Sequence, residues 1–195
     1  MSVRFWNSNM GAGMAMREVA PVEASELPLA DLTAHLRMGT GFADDGLEAP
    51  AVERACRAAL AAVESRTGRA LIARPFVWRM WTSPRGGVAV APLAPILSVG
   101  VVEVVRGGER ATVSGWHASE EALHDVPMVP SGGAIEVSLT AGTGAWSELP
   151  ADLAEAALLI GAALYEARGG AAPEIPEAAD RLLAPWRRLR IGGAG

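Results

Sequence analysis

One polar stretch of the sequence carries the residue types that enzymes use for acid–base and metal chemistry. It contains His117, Glu120, Glu121, His124 and Asp125. Imidazole and carboxylate groups can exchange protons near neutral pH or bind a divalent metal. Their spacing matches no ligand pattern, however, and a solvated loop accounts for the same composition. We therefore expect no metal site here, and keep a small hydrolase-like enzyme with an unrecognised site at residues 117–125 as an alternative.

Four other candidates for chemistry lack the neighbours that the chemistry needs. Ser114 has Thr112 and Trp116 at the two positions where a Gly-x-Ser-x-Gly elbow needs glycines, so it is not the nucleophile of such an elbow. Residues 140–144, Thr-Ala-Gly-Thr-Gly, have no Lys-Ser/Thr pair to hold a phosphate. Residues 44–48 lack the alternating ligands of a calcium loop, and Cys56 has no histidine near it in sequence. The sequence thus predicts no catalytic, cofactor-binding or metal-binding residue, and no cofactor.

The composition describes an acidic globular protein. Of 195 residues, 50% are apolar and 20% are charged, which excludes a disordered chain. The net charge of −5 argues against a protein that grips nucleic acid non-specifically, because such binding needs a cationic surface. A single cysteine excludes an internal disulfide framework. We find no signal peptide and no membrane-spanning segment, so we expect synthesis in the cytoplasm and no membrane partner.

The periodicity of apolar residues predicts helices at both ends of the chain and strands between them. Helices are expected from residue 25 to near Met38, over 49–67, over 150–168 and from Glu177 onwards. Between them, apolar and polar positions alternate in several short runs, and Arg106-Gly-Gly-Glu109 is typical of a hairpin turn. The fold class predicted is α+β: mainly a helical bundle of about four helices, with a β-rich insertion between the second and third.

These elements give four predicted regions. They are an extended or flexible N-terminal arm (1–25), the first helix pair (26–70), the β-rich insertion (71–140), and the second helix pair with a C-terminal tail (141–195). The aromatic residues Phe5 and Trp6 in the arm leave two alternatives open, a tail that docks on something and a tail that is disordered.

The predicted helix at 150–168 has more apolar surface than a single buried face requires. It carries no charge between Ala156 and Leu164. One of its two apolar stripes would pack inside the subunit. The other would contact another subunit or the first helix pair, and we assign to it Leu158, Gly161, Ala162 and Tyr165. The alternative is a central helix buried on both sides within one domain.

The C-terminal segment combines an aromatic anchor with basic residues. We predict that it contacts a partner protein, because tryptophan and arginine are enriched at interface hot spots. Its members are Leu182, Leu183, Trp186, Arg187, Arg188 and Arg190. The alternative is a fourth bundle helix that only covers the core.

The order and spacing of these segments resemble a known family. Six stretches match it in sequence order: LPLADLTAHLRM, AVERACRAALAAVESRTGRALI, PLAPILSVGVVEVV, IEVSLTAGTG, LPADLAEAALLIGAALYEARGG and LLAPWRRLR. The chain is similar over residues 27–190 to the head–tail connector (adaptor) proteins of long-tailed phages and of phage-like gene transfer agents. The N-terminal arm extends beyond the matching part.

The resemblance implies a structural protein and not an enzyme. It implies a ring of about twelve copies beneath the portal protein of the capsid, with head-to-tail interfaces between subunits. The ring would continue the DNA channel, with DNA passing through without sequence-specific binding, and would dock a stopper or other tail-side connector protein. The location implied is the head–tail junction of a virion or phage-like particle. A monomeric binding module is the remaining alternative.

Overall fold

A computed structural model describes residues 5–6, 14–37, 48–81, 83–167 and 173–187. The chain divides into two compact units. The sheet unit draws its described residues from 1–22 and 69–144, and the helical unit from 23–68 and 145–195. Within the described ranges, no helix is both long enough and apolar enough to cross a membrane.

The sheet unit consists of nine strands among its described residues. They are β1 (Phe5–Trp6), β2 (Met14–Glu18), β3 (Arg74–Met80), β4 (Ala89–Val90), β5 (Ile96–Arg106), β6 (Glu109–Thr112), β7 (His117–Ala118), β8 (Ala122–His124) and β9 (Gly133–Ala141). Six form an antiparallel sheet in the order β1-β2-β3-β9-β5-β6, and three form a small sheet in the order β4-β8-β7. The predicted hairpin is confirmed, since Arg106 pairs with Glu109.

The core of this unit lies on one face of the large sheet. Side chains of a strand alternate between faces, and Phe76, Trp78 and Met80 of β3 are almost completely buried. Trp78 lies opposite Val137 of β9 in the strand register. Leu123 of the small sheet is buried in the same cluster. The N-terminal segment takes part in this sheet, because β2 pairs with β3.

The opposite face of the large sheet carries a row of paired charges. Glu136 of β9 contacts Arg79 at 3.2 Å and Arg110 at 2.7 Å, and Arg110 also contacts Glu103 at 2.8 Å. These hydrogen bonds, to Glu103 first and then to Glu136, raise the pKa of Arg110 above its usual value. The row joins β3, β9, β5 and β6 across the strands.

The helical unit contains four α-helices among its described residues. They are α1 (Leu29–His35), α2 (Ala49–Thr67), α3 (Ala151–Glu166) and α4 (Glu177–Leu183). Short 3-10 turns lie at Ala24–Glu26, Trp146–Glu148 and Ala184–Trp186. α2 has a proline in its first turn and ends at Gly68, whose left-handed φ of 67° closes the helix through an N–H···O bond to Glu64 at 2.8 Å.

The α+β class and the four helices are confirmed, whereas a mainly helical bundle is not. The strands are not a minor addition to a helical bundle, because they bury an apolar core of their own that includes Trp78. α2 has the predicted bounds. α1 ends at His35, earlier than predicted, and Met38 lies outside the described residues. α3 ends at Glu166, and the predicted end at Arg168 also lies outside them.

Candidate functional site

The histidine-rich stretch does not form a catalytic relay. His117 and His124 face each other across β7 and β8, with ring centroids 4.7 Å apart and planes 9° from parallel. The Asp125 carboxylate lies 3.0 Å from Nδ1 of His117, whereas the Ser119 hydroxyl lies 3.2 Å from Nε2 of His124. In a catalytic triad, one imidazole contacts both the serine hydroxyl that it deprotonates and the carboxylate that orients it. Here the two groups contact different rings.

The two glutamates of this stretch contribute their backbones to the fold. The carbonyl of Glu120 accepts a hydrogen bond from the N–H of Ile96, at 2.7 Å, and the carbonyl of Glu121 accepts one from the N–H of Ala91, at 2.8 Å. Among the described residues, no group of three or more His, Cys, Asp or Glu side chains could hold a metal ion. The stretch is therefore a hydrogen-bonded connection of the sheet unit.

The glycine turn after β9 uses its backbone donors within the chain. The N–H of Gly142 donates to the carbonyl of Pro95 at 3.0 Å, and the N–H of Thr143 donates to the carbonyls of Ala70 and Leu71 at 3.1 and 3.0 Å. A phosphate-binding loop must leave its N–H groups free for the anion. This turn instead fastens the end of β9 to the preceding chain.

Cys56 lies in the interior of the helical unit. It is on α2 and only 3% exposed. Burial raises the pKa of its thiol to about 11, with Glu53 adding to the effect and Arg57 opposing it. Because the thiolate is the reactive form, this cysteine is a poor nucleophile.

The four predicted interface residues of α3 fall into two groups. Gly161 is buried, and a Cβ placed there would lie 3.1 Å from Leu32 and 3.6 Å from Ala59. Tyr165 is also buried, and its hydroxyl donates to Glu48 at 2.5 Å. These two residues therefore contact the first helices of their own chain. Leu158 and Ala162 are half-buried and lie on the outer side of α3.

The predicted partner-binding segment is partly built into the helical unit. Leu183 is completely buried, whereas Leu182 is half-buried. The indole of Trp186 donates to Asp152 at 2.5 Å, which holds the ring near the start of α3. Arg187 is exposed and forms an ion pair with Asp180. Arg188 and Arg190 lie outside the described residues.

An apolar groove of about 160 Å³ opens beside α2 and α3. It is lined by Ala58, Ala62, Ile160, Ala163, Leu164 and the linker residues 173–176. The sequence prediction missed this groove, because the linker that forms one wall is more than a hundred residues from Ala58. The only local signal was the run of alanines on α2, which permits the close approach of another element.

Three solved structures similar to this chain come from gene transfer agent particles. The neck of an empty gene transfer agent particle, computed with C6 symmetry, aligns at 38% identity with a TM-score of 0.81, covering 92% of this chain and 98% of that one. The virion of a native gene transfer agent particle aligns at 37% identity with a TM-score of 0.80 and the same coverage. The chain belongs to the head–tail connector family of gene transfer agents.

A third structure extends the comparison to another symmetry. The neck of a native gene transfer agent particle, computed with C12 symmetry, matches this connector at 34% identity and a TM-score of 0.73, again over 92% and 98% of the two chains. No protein-family model and no curated protein matches the sequence. The connector is thus a structural component of a phage-like particle, located at its head–tail junction.

Proposed function

We propose that this connector is the adaptor that forms a ring beneath the capsid portal, continues the DNA channel and docks the next tail component. The observation that carries the proposal is similarity along nearly the whole chain to necks computed with C6 and C12 symmetry. Closed cyclic symmetry requires each subunit to contact two neighbours through different surfaces. A ring of about twelve copies is consistent with both symmetries.

The partners follow from that position. They are the portal protein on the head side, a stopper or other tail-side connector on the other, and further copies of this chain. The net charge of −5 supports a conduit through which DNA passes without sequence-specific binding, because an acidic protein offers the duplex little adhesion. The protein is made in the bacterial cytoplasm and acts in the particle, with no cofactor and no enzymatic step.

The C-terminal segment is the proposed contact with the portal or the tail. Trp186 and Leu183 would fix the segment to its own subunit, since one is hydrogen-bonded to Asp152 and the other is buried. The residues proposed to contact the partner are then the half-buried Leu182 and Arg187, Arg188 and Arg190, of which Arg187 is exposed and also pairs with Asp180 of its own chain. An arginine cluster suits an acidic partner surface.

Imaging of particles made without this protein tests the proposal. We expect DNA-filled heads that lack tails, and restoration of tails when the intact gene is supplied in trans. Normal tailed particles in its absence would overturn the proposal. The double variant His117→Ala/His124→Ala serves as a matched control for the enzyme alternative, because an adaptor should still assemble tailed particles with both imidazoles removed.

A further inference from the structure

We propose that the outer side of α3 in one subunit docks against the outer side of α2, beside the apolar groove, in the next subunit. This lateral interface rests on the proposed ring function and names the two surfaces that the ring would join. The occupant of each surface is a second copy of this chain. Both surfaces belong to the helical unit.

The first surface, here called the acidic ridge, lies on α3. It consists of Glu155, Leu158, Ala162 and Glu166, at spacings of three, four and four residues. Residues at these spacings lie along one side of a helix. The two apolar members are half-buried and the two glutamates are exposed. Neither glutamate is in an ion pair with another described residue.

The second surface, here called the basic ridge, lies on α2. It consists of Arg54, Ala58, Ala62 and Arg66, each four residues from the next. The arginines are exposed and the alanines half-buried, and both alanines line the groove. In the described part of the chain, neither arginine has an ion-pair partner.

The two ridges are complementary in charge, shape and length. Each has an apolar centre between two like charges, and the charges of one ridge are opposite in sign to those of the other. At 1.5 Å per residue, the arginines are about 18 Å apart along α2 and the glutamates about 16 Å apart along α3. Leu158 can enter the groove between small alanine side chains, while both ends form Arg–Glu pairs.

The geometry also fits a ring better than a dimer. The acidic and basic ridges are different surfaces, so each subunit can offer one to each neighbour. Such a head-to-tail contact leaves one acidic ridge and one basic ridge unoccupied on every partial assembly until the ring closes. Charge pairs of this kind chiefly decide which surfaces meet, and the apolar centre supplies most of the affinity.

Cysteine cross-linking in assembled particles tests the contact directly. The full-length chain carries Ala62→Cys together with Leu158→Cys, and oxidised particles are run on a denaturing gel. We expect a ladder of covalent oligomers, and monomer only from either single variant. A matched control pairs Ala62→Cys with Ser138→Cys, since Ser138 is exposed on the sheet unit. Cys56 is buried and does not compete.

Charge exchange provides a second measurement. Arg54→Glu/Arg66→Glu and Glu155→Arg/Glu166→Arg should each lower the yield of tailed particles by roughly tenfold or more, and the four changes together should restore most of it. Tailed particles that give no cross-linked ladder would overturn this interface and leave the adaptor function standing. Tailed particles formed without the protein would overturn the adaptor function itself.

Discussion

Two sets of surface charges in the connector differ in whether they are paired within one chain. On the outer face of the sheet, Arg79, Glu136, Arg110 and Glu103 form a continuous row of ion pairs within one chain. On α2 and α3, Arg54, Arg66, Glu155 and Glu166 are exposed and none is ion-paired within the described residues. The charge row on the sheet is paired within its own chain, whereas the charged residues of the two ridges are not.

This difference supports a subunit contact on the two ridges and not on the charge row of the sheet. A charge already paired on its own surface gains little from a second partner, and desolvating it at an interface is costly. An exposed, unpaired charge beside an apolar groove can gain a partner on association. The charge row on the sheet therefore needs no further partner, whereas the two ridges offer surfaces that another copy can complete.

The largest expected effect is a loss of stability in the sheet unit, caused by a substitution at Gly142 in the turn after β9. Gly142 has φ of 143°, and a Cβ placed there would lie 2.4 Å from the Cα of Ala73. Gly142→Ala therefore forces two backbone segments apart and strains the turn, and we expect a loss of about 3 kcal/mol or more in the free energy of unfolding. Denaturant unfolding followed by circular dichroism measures it.

Gly100→Ala is the matched control for Gly142→Ala. Its φ is not in the left-handed region, and its nearest neighbour would lie 3.4 Å from the new Cβ, which is ordinary contact. We expect a change within about 1 kcal/mol. Equal losses from the two variants would show that the close approach at Gly142 is not what holds the turn.

A pair of neutralisations separates the two kinds of charge. Glu136 is mostly buried and contacts two arginines, so Glu136→Gln should lower the free energy of unfolding by about 1–2 kcal/mol. Glu155 is exposed and has no ion-pair partner among the described residues, so Glu155→Gln should change it by less than about 0.5 kcal/mol while lowering the yield of tailed particles. Thermal unfolding and particle counts, measured on both variants, give the comparison.

The opposite result would contradict the contrast between the charge row on the sheet and the two ridges. If Glu136→Gln left stability unchanged and Glu155→Gln lowered it, the row on the sheet would be incidental and Glu155 would serve its own subunit.

The sequence predicted the elements of the fold more fully than their association. The four-residue spacings of α2 and the alternation of Phe76, Trp78 and Met80 are local patterns that set a period, and both elements form as predicted. Strand pairing is not local. The segment Met14–Glu18 looks like part of a loose arm, yet its pairing with β3 buries Met16 completely. That pairing depends on residues about sixty positions away.

The candidate site shows the same limit. The sequence pattern predicted that α3 is a helix with a second apolar stripe. It did not predict which residues of that stripe are covered by other parts of the same chain. Gly161 and Tyr165 turn inward because Leu32 and Glu48 happen to lie against them, and Leu158 stays outside. The groove and the Trp186–Asp152 hydrogen bond also join residues that are distant in sequence.

A smaller effect tests whether Gly161 serves its own subunit. Gly161→Ala would press a methyl group against the flexible end of Leu32, at 3.1 Å. Overpacking costs about 1–3 kcal/mol, and replacing glycine inside a helix returns about 1 kcal/mol, so we expect a net loss of about 1 kcal/mol. Combined with Leu32→Ala, the substitution should cost less than it does alone. Additive effects in the double-mutant cycle would place Gly161 out of contact with Leu32.

The smallest expected effect concerns Cys56 in the interior of the helical unit. It is measured as the rate at which a thiol reagent modifies this residue. Because burial raises the pKa of Cys56 to about 11, a thiol reagent at pH 8 should modify the native protein far more slowly than the unfolded protein. In the unfolded chain the thiol has its ordinary pKa of 9.0, below the folded value, so this group should lower the stability of the fold as pH rises from 9 to 11. Labelling of native protein at the unfolded rate would mean that α2 opens readily. The basic ridge would then lie on a mobile helix, and its match in length to the acidic ridge would lose its meaning.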